Sequence, residues 1–242
     1  MRKEDIRVIT FAFVVCVVCS LMLSATSQLL KDKQDEQVEL DRKINVLKAF
    51  GIDVVDENGK KISKSAIDKY FTENIFEIFI NKESGEEIPG LTTAGLDKAE
   101  LKARTHEDRT RLPLYVWKEN GVPTKYAFPT SGMGLWSIVY GYIALDKDLS
   151  TIIGVTFYKH GETPGLGGEV STDWFQSQFG GKKIYENGSL LRFEVVKGTA
   201  PEGSNHAVDG ISGATMTGNG LNNFLNRDIS YYEKYFSRIR GT

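Results

Sequence analysis

Cysteine is nearly absent. Only Cys16 and Cys19 occur in 242 residues, which excludes a disulfide-stapled scaffold. It also excludes a structural zinc cluster or a cysteine-ligated iron–sulfur centre held by this chain alone. Histidine numbers three. His106, His160 and His206 form no spaced metal-ligand set, and each reads as a surface residue. Neither sign of charge dominates: 30 basic residues stand against 32 acidic ones, a formal net charge of −2. A nucleic-acid binder held by a strong basic field is therefore disfavoured. No Ser/His/Asp order suggests a triad, and no carboxylate pair suggests acid–base hydrolysis. A Walker A lysine–hydroxyl pair and a GxGxxG loop are also missing. What the chain does have is 13 Phe, 10 Tyr and 3 Trp, enough large apolar surface to argue for a packed core over disorder.

One apolar run is long. From Val8 to Leu30 no residue is charged. As a helix this stretch extends about 34 Å at ~1.5 Å per residue, enough for a ~30 Å hydrocarbon layer. Arg2, Lys3 and Arg7 precede it, and Lys31 and Lys33 follow. The short N-terminal flank favours an inside N-terminus with the bulk of the chain outside. The competing reading is a cleaved signal peptide, but Leu23-Ser24-Ala25 makes a poor cleavage site and the run is long for that purpose. Cys16 and Cys19 have CxxC spacing inside this run. There they share a helix face as small apolar residues and lack the exposed helix N-terminus of a redox motif.

Downstream, Lys31 to Phe50 reads as a helix continuing the anchor and ending at Gly51. Asp56-Glu57-Asn58-Gly59 reads as a turn. Ser63 to Ile80 reads as a helix capped by Ser63, and Leu96 to Ala103 as a short helix. Then strand patterns take over. Leu114–Trp117 and Lys125–Phe128 flank an Asn120-Gly121 hairpin turn. Trp136–Leu145 and Thr151–Phe157 form a second hairpin. Glu169–Phe179 is expected to be helical, Leu190–Val196 a strand, and Asn222–Arg240 a helix. The expected class is α+β: one N-terminal transmembrane helix, then an antiparallel sheet flanked by helices. The expected divisions are 1–7 (cytoplasmic), 8–30 (transmembrane), 31–50 (helical stalk) and 51–242 (one extracytoplasmic domain).

Three segments carry the chemistry. Asp209-Gly210-Ile211-Ser212-Gly213-Ala214-Thr215-Met216-Thr217 gathers hydroxyls and small residues ahead of a helix, suited to close approach by a phosphate. Read plainly, it is also a helix cap. His160-Gly161-Glu162-Thr163-Pro164-Gly165-Leu166-Gly167-Gly168-Glu169 follows a strand with several amides free to face a ligand; a flexible connection has the same composition. Ser131-Gly132-Met133-Gly134-Leu135-Trp136-Ser137 offers apolar walls for a planar ligand, or a core tryptophan at a strand start.

Together, and behind one anchor, these segments resemble the C-subunit family of sodium-translocating NADH:quinone reductases. The matching runs are Gly-Met-Gly-Leu-Trp-Ser at 132–137, His-Gly-Glu-Thr-Pro-Gly-Leu-Gly-Gly-Glu-Val at 160–170 and Asp-Gly-Ile-Ser-Gly-Ala-Thr at 209–215. The last is similar to the flavinylation motif of FMN-binding domains. That resemblance implies FMN joined through its phosphate to the Thr215 hydroxyl by a flavin transferase that uses FAD and magnesium. It also implies that Asp209 positions or activates that hydroxyl, and that Ser212, Thr217 and nearby amides hold the phosphate. Gly213 and Ala214 leave room for the transferase, and Lys197 offsets charge. Glu162, Thr163, Gly165, Leu166 and Gly167 would edge the ring, Leu135 and Trp136 would wall it, and Ser137 would make a polar contact. The implied role is an electron carrier among the subunits of a bacterial inner-membrane complex, with its soluble domain on the periplasmic side. That complex couples NADH oxidation and quinone reduction to sodium export, and this chain alone is inactive on NADH. Two alternatives are the G-subunit of an Rnf-type ferredoxin:NAD oxidoreductase and a non-redox anchored scaffold.

Overall fold

The computed structural model describes residues 3–55 and 61–240. The turn expected at 56–59 lies outside the described residues. Helix α1 runs unbroken over Lys3–Ala49. Among the described residues it is the one helix long and apolar enough to cross a membrane. Phe11, Phe13, Leu21 and Leu23 on it are largely exposed, which suits hydrocarbon better than water.

By its contacts the chain divides into two compact units, one ending at Arg42 and one beginning at Lys43. The second takes in the last turns of α1, because Val46, Leu47 and Ala49 are buried in it. It therefore starts ahead of the boundary at 51 drawn from the sequence. Gly51, at φ 77°, ends the helix. Its amide donates to the Lys48 carbonyl at 2.9 Å and the Ile52 amide to that of Leu47 at 3.0 Å, satisfying two terminal carbonyls.

Ser63 caps helix α2 (Lys64–Glu73), its hydroxyl accepting from the Ala66 amide at 3.2 Å. The helix expected to reach Ile80 stops here. Ile75–Asn81 is strand β1, paired along its whole length with β2 (Arg111–Glu119). The Ile-Phe-Glu-Ile-Phe-Ile run fits a helical period only because nearly every position is apolar. Its β-branched and aromatic content favours the strand.

Helix α3 (Lys98–Lys102) starts at Asp97, whose carboxylate caps it. Strand β2 turns at Asn120-Gly121 into β3 (Val122–Met133), and both turn residues have positive φ, 52° and 81°, as a two-residue type I′ hairpin requires. Strands β4 (Ile138–Asp146) and β5 (Ile152–Lys159) complete a five-stranded antiparallel sheet in sequential order.

Two stretches are more broken than expected. Glu169–Phe179 is not one helix. It comprises 3-10 turns at Gly167–Ser171 and Ser177–Phe179 around a single turn, α4 (Asp173–Gln176). Ser171 and Thr172 hydroxyls bond the carbonyls of Gly168 and Glu169, and such local bonds compete with helix continuation. Leu190–Val196 is likewise split. Strand β6 (Tyr185–Glu186) pairs with β7 (Ser189–Leu190), while β8 (Glu194–Val195) runs parallel to β9 (Ala207–Val208).

Helix α5 (Thr215–Arg240) packs on β3. Leu221, Phe224, Leu225, Ile229, Tyr232 and Phe236 recur at three- and four-residue spacing and are buried, with each such side chain contributing roughly 1.5–3 kcal/mol. Tyr232 stacks on Phe128 at 4.3 Å between centroids and donates its hydroxyl to the Pro113 carbonyl at 2.8 Å. Asn222 and Asn226, one turn apart on α5, each exchange two bonds with a backbone residue, Val195 and Phe193 respectively. In effect they serve as two rungs of a missing strand. The architecture is α+β: one long apolar N-terminal helix, then an antiparallel sheet flanked by helices.

Candidate functional site

Strands β8 and β9 lead into a cleft. Their pairing continues past the C-terminal ends of both strands: the Val196 amide donates to the Val208 carbonyl at 3.0 Å, and the Gly210 amide to that of Gly198 at 2.8 Å. A cavity of about 560 Å³ opens beside them. Its walls are the 195–199 segment, the 209–214 turn, the start of α5 and the Trp174 side chain. Small-molecule sites typically occupy about 300–1,000 Å³.

The turn is built for entry into a helix. The Ala214 amide donates to the Ile211 carbonyl at 3.0 Å, and Gly213 sits at φ 72°. A left-handed third residue is what a type II turn demands. The Gly218 amide then closes the first helical bond onto Ala214. Thr215 is therefore the first residue of α5. Its side chain is exposed, and no described hydrogen bond engages its hydroxyl. First-turn amides lack intrahelical partners and, with the helix dipole, favour an anion. Lys197 and Ser212 stand on the same wall. Asp209 lines it too, but its Oδ1 already accepts from the Ala200 amide at 2.7 Å. A phosphate ester of a planar aromatic group fits this set: a free hydroxyl, a helix N-terminus, a lysine and the Trp174 ring.

Of the residues singled out from sequence, Lys197, Asp209, Ser212, Gly213, Ala214 and Thr215 line the cavity. Leu135, Trp136, Thr163, Gly165 and Leu166 do not, and all five are exposed. Leu166 reaches the turn, since its Cδ2 lies 2.7 Å from where a Cβ on Gly213 would stand. Four expected ligand contacts need correction. Thr217 is buried and donates its hydroxyl to Glu162 at 2.8 Å. Glu162 is buried and accepts from the amides of residues 135–137. The Ser137 hydroxyl donates to Glu162 at 3.1 Å and accepts from the Gly161 amide. Gly167 is buried against Thr217 and Glu162. Internal hydrogen bonds and packing engage these four positions.

The histidine reading also needs one correction. His106 is buried, with Nδ1 3.3 Å from Asp228 on α5; only the folded chain brings together residues so far apart in sequence. His160 is half-buried and His206 exposed. Sequence reasoning misses Trp174 and Asn219 as cavity residues. Trp174 has the signature of a helix's apolar side, and nothing local marks the parallel β8–β9 pair that faces it.

Two buried carboxylates contribute to the acid stability. Burial alone would raise the Glu162 carboxyl, yet the Thr217 hydroxyl and the amides of Trp136, Leu135 and Ser137 hold it below the usual range. Burial likewise works against Asp228, but His106, Arg227 and the Ser131 amide hold it low. A carboxyl whose folded pKa lies below its unfolded one stabilises the fold above the unfolded value, near pH 4, and loses that contribution as pH falls through the folded value. Thermal melts should therefore show little change between pH 7 and pH 5 and a falling midpoint below about pH 4. The gap between the wild-type chain and Glu162→Gln should narrow over the same acid range.

Gly210 gives a steric test of the wall. A Cβ there would meet the Val196 carbonyl oxygen, and backbone on both sides leaves little room to yield. Gly210→Ala should cost about 1–3 kcal/mol, read as a lowered melting midpoint.

Comparison with known proteins identifies the family and the fold. Residues 134–230 match the FMN-binding domain family. The chain is 34% identical over 224 residues to the C-subunit of the Na(+)-translocating NADH-quinone reductase of Vibrio campbellii, covering 85% of this chain and 83% of that one. It is 33% identical over 235 residues to the Vibrio anguillarum protein of the same name, covering 91% and 89%. The crystal structure of Shewanella oneidensis NqrC is similar, with a TM-score of 0.70 and 26% identity over 84% of this chain and 97% of that one. The crystal structure of the Parabacteroides distasonis C-subunit also gives 0.70, at 32% identity over 85% and 96%.

Proposed function

Because the chain belongs to the C-subunit family of Na(+)-translocating NADH-quinone reductases, electron-transfer proteins with an FMN-binding domain, we propose that it carries FMN covalently on Thr215. The observation that carries this is the exposed Thr215 hydroxyl at the N-terminus of α5, on the cavity wall beside left-handed Gly213. In the attachment reaction, the Thr215 oxygen forms a bond to the flavin-side phosphorus of FAD. The bond from that phosphorus to the bridging oxygen breaks, and AMP leaves with that oxygen. The hydroxyl proton passes to solvent. A flavin transferase with magnesium performs this step.

The chain's own residues then bind and orient. First-turn amides, the Ser212 hydroxyl and the Lys197 ammonium hold the phosphoester. Asp209 braces the 198–200 segment through Ala200, keeping Lys197 near the turn. Trp174 offers a face within the cavity, and exposed Leu166, Leu135, Trp136, Thr163 and Gly165 form an adjoining rim. When bound, FMN supplies reversible electron uptake and release. A tethered cofactor suits a relay between centres on partner subunits. The domain lies on the periplasmic side, α1 crosses the inner membrane, and this chain does not oxidise NADH unaided. No charge lies within residues 8–30, which disfavours an ion site inside the membrane-spanning part of α1.

The test is intact mass of the denatured full chain after coexpression with a flavin transferase, together with fluorescence of the gel band. The expected addition is one FMN less one water. A folded, transferase-treated chain at its bare mass would refute the proposal.

A further inference from the structure

Five hydrogen bonds converge on one carboxylate. Glu162 Oε1 accepts from the Trp136 and Ser137 amides, each at 3.0 Å, and from the Ser137 hydroxyl at 3.1 Å. Oε2 accepts from the Leu135 amide at 3.1 Å and the Thr217 hydroxyl at 2.8 Å. The residue is 5% exposed. No cation pairs with it among the described residues; only neutral donors face it. The surroundings are shaped to it as well: a Cβ on Gly134 or on Gly167 would lie 2.8 Å from a carboxylate oxygen.

Burying an unpaired charge is costly unless several donors replace water. A carboxylate can take five donors at once because both oxygens accept. An amide in its place offers one acceptor and a donor that the Leu135 amide cannot satisfy. The donors come from two places: the loop bearing Leu135 and Trp136, and the first turn of α5, two residues beyond Thr215. Resting on the function proposed above, we infer that Glu162 is a positioning residue. Through Thr217 it holds the start of α5 in fixed register with the Leu135–Trp136 loop, so that the group tethered at Thr215 meets a preset apolar rim.

Four full-length chains separate this role from simple support: wild type, Glu162→Gln, Thr217→Val and Thr217→Ser. Each is coexpressed with a flavin transferase and purified in detergent. Thr217→Val keeps the buried volume and removes only the hydroxyl, whereas Thr217→Ser restores it. Hydrogen exchange at the amides of residues 135–137 reads the network without any flavin. It should run about tenfold faster in Glu162→Gln and Thr217→Val, and near wild type in Thr217→Ser. In the loaded chains, flavin fluorescence should rise and its anisotropy fall in the first two variants, with Thr217→Ser again near wild type. Intact mass reports loading separately. If loaded Glu162→Gln and Thr217→Val match wild type in flavin anisotropy and intensity, the positioning role is lost while the Thr215 assignment stands. If wild type itself carries no FMN mass, both are lost.

Discussion

On the attachment proposed above, Thr215→Ala should remove covalent flavin and leave the fold intact. Thr215 is exposed, no described hydrogen bond uses its hydroxyl, and it occupies the first position of α5. Its amide there has no intrahelical partner to lose, and alanine is the best helix former. The expected stability change is therefore within about 0.5 kcal/mol, while the adduct is lost completely because the attacking oxygen is gone. Thr215→Ser restores a hydroxyl at the same place and should restore fluorescence. The decisive reading is intact mass of the denatured chain. A Thr215→Ala chain still heavier by one FMN less one water places the ester elsewhere, and Ser212 is then the first residue to examine. Circular dichroism matching wild type shows that a dark band reflects missing chemistry and not a missing domain.

Asp228→Ala should cost about 3–5 kcal/mol, the largest stability loss foreseen for a single side chain here. Asp228 is fully buried. Its Oδ2 accepts from the Thr130 hydroxyl at 2.8 Å, the Ser131 amide at 2.9 Å and His106 Nδ1 at 3.3 Å. Its Oδ1 takes the Arg227 guanidinium at 2.8 and 2.9 Å. Removing the carboxylate leaves an arginine without its buried counter-charge and three further donors without an acceptor, and such orphans are expensive. Asp228→Asn keeps the shape but offers one acceptor fewer, so an intermediate loss is expected. Thermal melts of the full chain in detergent rank the three. An Asp228→Ala midpoint within a degree or two of wild type would contradict this account of the network.

The sequence carried much of this fold openly. Asn120-Gly121 marked its hairpin because only residues tolerant of left-handed φ suit that turn, and Ser63 and Gly51 marked helix ends for similarly local reasons. The turn before Thr215 was legible too, since glycine, hydroxyl and alanine follow in immediate succession, but the helix expected from Asn222 begins at Thr215, its first turn obscured by Gly218 and Gly220. What escaped was non-local. Ile75–Ile80 reads as helix until β2 is known to lie beside it. Glu162 and Thr217, 55 residues apart, each look like ligand contacts because a buried carboxylate and its hydroxyl partner have no signature along the chain. His106 was misjudged in the same way, its polar neighbours in sequence concealing the acid that α5 brings to it. Asn222 and Asn226 resemble surface polar residues of a helix, and only the neighbouring backbone reveals them as strand substitutes.

The proposed tether sits at the head of α5, and that position would order the protein's maturation. The β-meander is complete in the chain before α5 has been made, yet the helix that packs on β3 and the proposed acceptor hydroxyl arrive only with α5. A chain lacking α5 would offer the strands without the proposed acceptor. Attachment at Thr215, as proposed, would therefore require a chain synthesised into α5.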